Sequence, residues 1–243
     1  MNALDIGCIR AAFPDRRILY YASLDSTMRA AVGMETGGVV LAEEQTAGQG
    51  RLGRTWHSEA GAGIYCSMAL RPAPALTLAL GLAAQSAIFQ AAGLMCDIRW
   101  PNDLLLGGKK VAGILVQASD AKAIGGIGIN VNQAAFPPEL AGAATSLRLE
   151  LAKKAGREAC PTEIVLALLA AVDRFVQLDK DAILRLFAQS SSYASGRRVT
   201  VELPDGAIEG TTAGLDPNGF LVVRKDDGTD TLVLAGGVRA AGS

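Results

Sequence analysis

The residues most able to do chemistry in this sequence lie in one glycine-rich segment, Gly48-Gln49-Gly50-Arg51-Leu52-Gly53-Arg54-Thr55-Trp56. Closely spaced glycines let the backbone approach a ligand and present its N–H groups to phosphate oxygens. Arg51 and Arg54 add two guanidinium forks, which bind phosphate or carboxylate and stay charged at neutral pH. The segment therefore indicates a loop that closes over an anionic ligand, with a solvated surface turn as the alternative.

The same glycines fit the GxGxxG pattern of a dinucleotide-binding turn. That pattern requires a helix to open at the glycines. Residues 54–58 lead instead to another glycine-rich turn and then to a strand. The context therefore argues against a Rossmann site.

Three further segments place reactive residue types at the ends of, or within, apolar strands. In Arg99-Trp100-Pro101-Asn102-Asp103, Pro101 forces an extended residue before it and displays the two polar residues at a strand end. In KKVAGILV, Lys110 can meet an anion, and Gly113 removes a side chain where a ligand could lie flat. Residues 125–132 (GGIGINVN) again place glycines in an apolar strand. Taken singly, these segments also fit turn chemistry or close strand packing.

Together, GQGRLGRTW, RWPNDLLLGGKKVAGILV and GIGINV resemble the biotin–protein ligase family over most of residues 24–147. RWPNDL followed at short range by KxAGIL is the specific part of this resemblance. It implies an α+β fold, in which a mixed β-sheet flanked by helices, of the class II synthetase type, precedes a small SH3-like β-barrel. The resemblance is to the shorter members, because the residues before Tyr20 cannot hold a helix-turn-helix region, and no repressor role is expected.

The elements predicted from apolar patterning agree with that fold. Strands are expected at residues 17–23, 39–43, 63–70, 95–100, 104–106, 111–117 and 124–131. Helices are expected at residues 28–34, 76–92, 161–178 and 181–189, the first capped by Asp25-Ser26-Thr27. Four short strands then alternate with turns at residues 204–206, 216–219 and 226–228, which is typical of a small antiparallel barrel. We place a catalytic domain at residues 1–190 and a barrel domain at residues 191–243.

The resemblance assigns roles residue by residue. Biotin contacts are implied for Ser26, Thr27, Gln45, Gly48, Gln49, Gly50, Arg51, Lys110 and Gly113. Nucleotide contacts are implied for Arg51, Arg54, Trp56, Asn102, Lys110 and Asn130. The catalytic set is Arg51, Arg54, Lys110 and Asp103. No residue is assigned to a resident metal, because ATP brings Mg²⁺ as its complex.

The implied reaction explains these residue types. A biotin carboxylate must attack the α-phosphorus of ATP, so fixed cations and Mg²⁺ are needed to offset the repulsion between two anions. A neutral lysine amine then attacks the mixed anhydride, and Asp103 can hold that amine and accept its proton. Closure of the loop excludes water from biotinyl-AMP, which would otherwise hydrolyse.

Three positions depart from the family's pattern. Gln49 stands where many members carry a basic residue, so the loop has one cation fewer to retain the intermediate. Met28 replaces an Asn that commonly follows Ser-Thr, which removes one polar contact. Gln117 stands where Glu is frequent, after the GILV strand.

Composition narrows the remaining classes of protein. Half of the residues are hydrophobic and 19% are charged, which favours a packed core. Lys and Arg number 23 against 24 acidic residues, a balance that argues against nucleic-acid binding. The amino terminus lacks the pattern of a signal peptide, and residues 76–94 suit a buried helix better than a membrane span. We therefore expect a cytoplasmic protein without membrane contact.

The thiols and the imidazole do not form a site. The four cysteines, Cys8, Cys66, Cys96 and Cys160, lack metal-ligand spacing and are predicted to be buried free thiols. His57 is the single histidine, and it has no companions for a metal site or a Ser/His/Asp triad.

The resemblance also implies the partners. The acceptor would be the biotin carboxyl carrier domain of acetyl-CoA carboxylase or of another biotin-dependent carboxylase. Family members often pair through the sheet, so a homodimer is compatible with the sequence. Two alternatives stay open: a lipoate–protein ligase, which shares the fold and the adenylation step, and a non-catalytic biotin-binding regulator. The WPND segment argues against the first, and joint retention of the charged motif residues argues against the second.

Overall fold

The computed structural model describes residues 4–153, 158–203 and 206–241. Its centre is a seven-stranded mixed sheet in the order β1-β2-β3-β7-β6-β5-β4. The strands are β1 Ile18–Tyr21, β2 Val39–Ala42, β3 Gly63–Leu70, β4 Asp97–Arg99, β5 Asp103–Leu106, β6 Lys109–Ala118 and β7 Ala123–Asn130. The first two strands pair in parallel and the other neighbours pair antiparallel.

Helices cover both faces of this sheet. They are α1 Ile6–Ala12, α2 Thr27–Val32, α3 Leu76–Ala92, α4 Pro138–Ala141, α5 Leu147–Ala152, α6 Pro161–Phe175 and α7 Lys180–Ser190. The main core lies between the sheet and the packed pair α3 and α6, and it takes alternate residues of β3 and β7. Helix α2 covers part of the opposite face with a smaller core that includes Met28 and Met34. Because alternate strand residues face opposite sides, the other residues of β3 and β7 are left to form a site.

Helix α3 is buried on more than one side, as its nearly continuous apolar sequence predicted. Leu80 and Ile88 belong to the main core, whereas Leu78 and Leu82 belong to a second core shared with the carboxy-terminal strands. Within the described ranges, every helix is too short or too polar to cross a membrane.

The carboxy-terminal strands form a five-stranded antiparallel sheet in the order β11-β10-β9-β8-β12. They are β8 Ser195–Leu203, β9 Gly206–Leu215, β10 Leu221–Arg224, β11 Asp230–Val233 and β12 Gly237–Ala240. The predicted turns at residues 216–219 and 226–228 join successive strands, while Pro204 and Asp205 of the first predicted turn lie outside the described residues. The apolar residues of this sheet pack with Trp100, Leu78 and Phe187 in the second core.

The predicted fold class is confirmed, and each predicted strand and helix has a counterpart. Among the described residues, five short elements were not predicted: α1, α4, α5, β12 and a 3-10 turn at Arg51–Gly53. The predicted domain boundary at residue 190 falls where α7 ends, and it stays a prediction. The prediction of buried free thiols holds for Cys66 and Cys96, where burial raises the pKa of each thiol to about 12. It was wrong for Cys8, which is exposed, and for Cys160, which is half-buried.

Candidate active site

The glycine loop is a tight hairpin. The Gly50 N–H donates to the Arg54 carbonyl (2.7 Å), and the Trp56 N–H donates to the Gly48 carbonyl (3.0 Å). A Cβ at Gly48 would lie 2.6 Å from the Trp56 carbonyl oxygen, so only glycine allows this approach. The tip is a short 3-10 turn, Arg51–Gly53, with Leu52 exposed. The loop thereby carries its two arginines on a compact projection.

The floor of the site is a patch of sheet without large side chains. Gly113 of β6 pairs directly with Gly128 of β7, and Gly126 pairs with Ser67 of β3. The indole ring of Trp56 lies over this patch, because a Cβ at Gly128 would be 2.5 Å from the ring and one at Gly113 would be 2.9 Å from it. The glycines therefore let a flat group lie against the backbone, and in this structure that group is Trp56.

A chain of polar side chains forms one wall. Thr27 donates from its N–H to the Gln45 side-chain carbonyl (2.8 Å), and its hydroxyl lies 2.8 Å from that of Ser67. The Gln45 amide then donates to the Ser58 hydroxyl (2.9 Å). Each of these groups is held by the next, so Thr27 and Gln45 are fixed before a ligand arrives.

Two buried donors beside this wall have no partner within the described residues. One is the hydroxyl of Ser26 and the other is the ring nitrogen of Trp56. Ser26 occupies the N-cap position of α2, as predicted, yet its side chain makes no capping bond. Buried polar groups usually have partners in proteins, so these two donors mark places where a polar ligand would gain hydrogen bonds.

Charged groups converge at the opposite wall. The Lys110 ammonium lies 2.5 Å from an Asp103 carboxylate oxygen, and Arg99 donates to the same carboxylate at 2.7 Å. Burial opposes ionisation of Asp103, but the two cations outweigh it and lower the pKa of this carboxyl below its usual value. Lys110 also lies 5.2 Å from the centroid of the Trp56 ring, a cation–π contact.

Arg51 is anchored to the same region by Asn102. Its guanidinium donates to the Asn102 side-chain oxygen (2.9 Å), while the Asn102 amide donates to the Ile114 carbonyl (2.8 Å). Burial lowers the pKa of Arg51, Asp103 opposes that effect and Arg54 adds to it. The contact joins the glycine loop to the segment that follows β4.

These walls line one pocket that is partly open to solvent. Nine of the residues predicted from sequence line it: Thr27, Gln45, Gln49, Gly50, Arg51, Trp56, Asn102, Lys110 and Gly113. Ser26, Gly48 and Asp103 are not lining residues but contact or adjoin the lining ones. A pocket with a glycine floor, an amide wall and two cations suits a flat polar ring attached to an anion.

Two predicted site residues lie away from this pocket. Arg54 is largely exposed, and its guanidinium lies 3.8 Å from Glu202 of the carboxy-terminal sheet. Asn130 is buried, and its amide donates to the Thr145 carbonyl (3.0 Å). Their predicted contacts with nucleotide stay predictions.

Sequence reasoning missed Ser67 and Tyr65, which also line the pocket. Both lie on β3, on the face opposite to Cys66 and Met68 of the main core. Strand alternation in GIYCSMAL could have assigned them to the site face, had the direction of the core been known. Of the departures, Gln49 lines the pocket, Met28 is buried with its sulfur against Gly126, and Gln117 is exposed.

Comparison with known proteins assigns the family. The chain matches the Biotin/lipoate A/B protein ligase family over residues 21–133 and the Biotin protein ligase C terminal domain over residues 194–237. It is 35% identical over 238 residues to the Bifunctional ligase/repressor BirA of Bacillus subtilis, which covers 90% of this chain and 73% of that protein. The chain belongs to the biotin protein ligase family. This membership confirms the resemblance that the four motifs carried.

Two further relatives agree with the assignment. Biotin--[acetyl-CoA-carboxylase] ligase of Mycobacterium tuberculosis is 37% identical over 227 residues, covering 88% of this chain and 82% of that protein. The Biotin protein ligase from Aquifex aeolicus in complex with biotin and ATP has a TM-score of 0.81 at 28% identity, covering 93% of this chain and 99% of that one. The ligase interpretation is thereby favoured over a lipoate–protein ligase and over a non-catalytic regulator.

Proposed function

We propose that this ligase activates biotin with MgATP to form biotinyl-AMP. It then transfers biotin to a lysine of a biotin carboxyl carrier domain. The observation that carries this proposal is the position of Arg51 and Lys110, which line one pocket together with the glycine floor and the Thr27–Gln45 wall. Anionic groups meet the two cations at one end, while a polar ring fits the amide and hydroxyl groups at the other.

In the first step, the biotin carboxylate attacks the α-phosphorus of ATP and pyrophosphate leaves, so two anions must approach each other. Lys110 and Arg51 offset that repulsion and stabilise the charge that develops at phosphorus. Thr27, Gln45 and the unpartnered Ser26 hydroxyl hold the ureido ring of biotin. The ring lies on the floor that Gly113 provides, so Trp56 shifts from that floor towards the adenine.

In the second step, the acceptor lysine attacks biotinyl-AMP and AMP leaves. The lowered pKa of Asp103 keeps this carboxylate ionised at neutral pH, so it can hold the incoming amine, and it accepts the proton that the amine loses as the amide bond forms. Lys110 lies beside Oδ1 of Asp103 in the structure, so the entry of two substrate anions would draw the ammonium away and free that oxygen, while Arg99 keeps its bond to Oδ2. Arg54 and Asn130 are assigned to the nucleotide, and the loop must close further for Arg54 to leave Glu202.

The acceptor is proposed to be the carrier domain of acetyl-CoA carboxylase or of another biotin-dependent carboxylase. Pairing of two copies through the sheet and a cytoplasmic location remain predictions.

The test is incubation of the purified protein with biotin, MgATP and a biotin carboxyl carrier domain, followed by intact-mass measurement. We expect the acceptor to gain the mass of one biotin, and to gain nothing when ATP is left out or when lipoate replaces biotin. Replacing the acceptor lysine with arginine should also prevent the gain. Transfer of lipoate but not biotin, or binding of biotin without transfer, would overturn the proposal.

A further inference from the structure

The turn that carries Asn102, and that leads into Asp103 at the start of β5, lies near the edge of the catalytic sheet. It follows β4, which is the last strand of that sheet and pairs with β5 on one side alone among the described strands. An edge strand with one partner has free backbone groups and is held less firmly than a central strand. Asn102 and Asp103 are held on the side of β6, by Ile114 and by the pairing of Asp103 with Gly113. On the side of β4, their placement depends in addition on what covers the free edge of that strand.

The junction to the carboxy-terminal domain covers that edge. The Ser191 hydroxyl donates to the Ile98 carbonyl (2.5 Å), and the Ser192 N–H and hydroxyl donate to the Asp97 carboxylate (2.8 and 2.6 Å). The Gln85 amide donates to the Cys96 carbonyl from α3 (2.6 Å). Each residue from 96 to 98 is thus fixed by groups outside the sheet.

The next anchor reaches into the carboxy-terminal domain itself. The buried indole of Trp100 donates to the Gly219 carbonyl (2.9 Å) in the turn between β9 and β10. That turn is shaped by Asp216, whose carboxylate accepts from the Asn218 and Phe220 N–H groups. Loss of this bond would leave the buried Gly219 carbonyl without a partner, which costs free energy. Trp100 and the turn therefore hold each other in position.

We propose that the carboxy-terminal domain positions Asn102 and Asp103 through Trp100, and that Trp100 and the turn shaped by Asp216 are positioning residues of the ligase. Trp100 does not line the pocket. Two residues later, Asn102 exchanges hydrogen bonds with Ile114 and holds the Arg51 guanidinium, while Asp103 meets Lys110. The domain thus acts on the chemistry from outside the pocket. This inference rests on the function proposed above for Asn102 and Asp103.

The same domain supplies a matched control. Asp227 shapes the turn between β10 and β11, where its carboxylate accepts from the Thr229 N–H and hydroxyl. Asp216→Ala and Asp227→Ala each remove one turn-shaping carboxylate from this domain, but the turn of Asp216 alone presents a carbonyl to Trp100 among the described contacts. Trp100→Phe removes the donor while keeping most of the ring in the core.

Hydrogen exchange read by mass spectrometry tests the positioning directly. In Asp216→Ala and in Trp100→Phe, residues 97–106 should exchange between about twofold and about tenfold faster, the range that one lost hydrogen bond corresponds to. In Asp227→Ala this segment should exchange as in the wild type. Wild-type exchange in Asp216→Ala, or equal acceleration in both aspartate variants, would overturn the inference.

Kinetics test the consequence. The kcat of biotin transfer should fall by a similar factor in Asp216→Ala and Trp100→Phe. The Kd for biotin should change less, since the Thr27–Gln45 wall lies apart from this junction and, of the charged side chains of the pocket, Arg51 and Lys110 contact the displaced residues. A general loss of packing would instead shift both quantities together. If the wild type transfers no biotin, the proposed function fails, while the exchange measurement still decides the inference. If it does, and Asp216→Ala transfers at the wild-type rate, only the inference fails.

Discussion

The two faces of β7 differ in what their residues do. Ile127 and Ile129 point into the main core under α3 and α6, whereas Gly126 and Gly128 lie on the face that forms the pocket floor. Neighbouring residues of one strand therefore have different roles: one face packs in the core, and the other leaves space for a ligand. A substitution should disturb stability or catalysis according to the face that it touches.

Lys110→Ala should slow formation of biotinyl-AMP by about 10²- to 10³-fold, because it removes a cation from the site of developing charge. Release of pyrophosphate in the presence of biotin measures this step. Lys109→Ala is the control, since the neighbouring lysine is directed to the Ala141 carbonyl near the surface. A Lys110→Ala variant with the wild-type rate would contradict the role assigned to this residue.

Gly128→Ala should reduce the rate of adenylate formation about a hundredfold, since even a small displacement of bound groups has that cost. Its new methyl group would occupy the floor on which Trp56 now lies. Gly125→Ala is the counterpart on the core face, where a Cβ would lie 2.6 Å from Leu80. It should destabilise the fold by about 1–3 kcal/mol through overpacking and leave biotin affinity intact. Equal losses in the rate of adenylate formation for the two variants would contradict the separation of the two faces.

Arg51→Gly should lower transfer to the acceptor roughly tenfold to a hundredfold, the range for loss of a hydrogen bond to a charged group. It should also release biotinyl-AMP into solution, because the loop would lose its hold on both the intermediate and Asn102. Filtration of the reaction and mass spectrometry of the filtrate detect the free adenylate. Full activity with no free adenylate would rule out this function of the loop.

Asp103→Asn should change the pH dependence of stability. The pKa of Asp103 is below its ordinary value of 3.8, so its ionised form stabilises the folded state. This stabilisation is complete at pH values above the pKa of Asp103 in the unfolded state. It is lost as the pH falls through the lower pKa of Asp103 in the folded state. Unfolding free energies of the wild type and Asp103→Asn, from urea titrations, should differ by a constant amount at neutral pH and converge only below about pH 4. Convergence nearer neutrality would contradict the lowered pKa.

Sequence patterns predicted the sheet and long helices well, because apolar runs such as residues 63–70 and 76–92 can only be buried. They also identified the pocket, since motifs distant in the chain meet there once the strands pair. The sequence patterns did not show which way individual side chains point. The orientation of Arg54 towards Glu202 depends on a contact between residues 148 positions apart, and no local pattern encodes it. The same holds for Ser67, whose assignment to the site needs the register of β3 against β7. Strand β12 was missed because GVRA is short and carries almost no apolar signal.

The indole of Trp56 on the pocket floor should make the intrinsic fluorescence of this protein sensitive to substrate binding. The chain holds two tryptophans, and they occupy unlike surroundings: Trp100 is locked at the junction, while Trp56 lies where substrate must enter. Arrival of biotin should move one chromophore from beneath the Lys110 ammonium and leave the other unchanged. Intrinsic emission would then follow the closing of the loop in real time, without a label and without turnover.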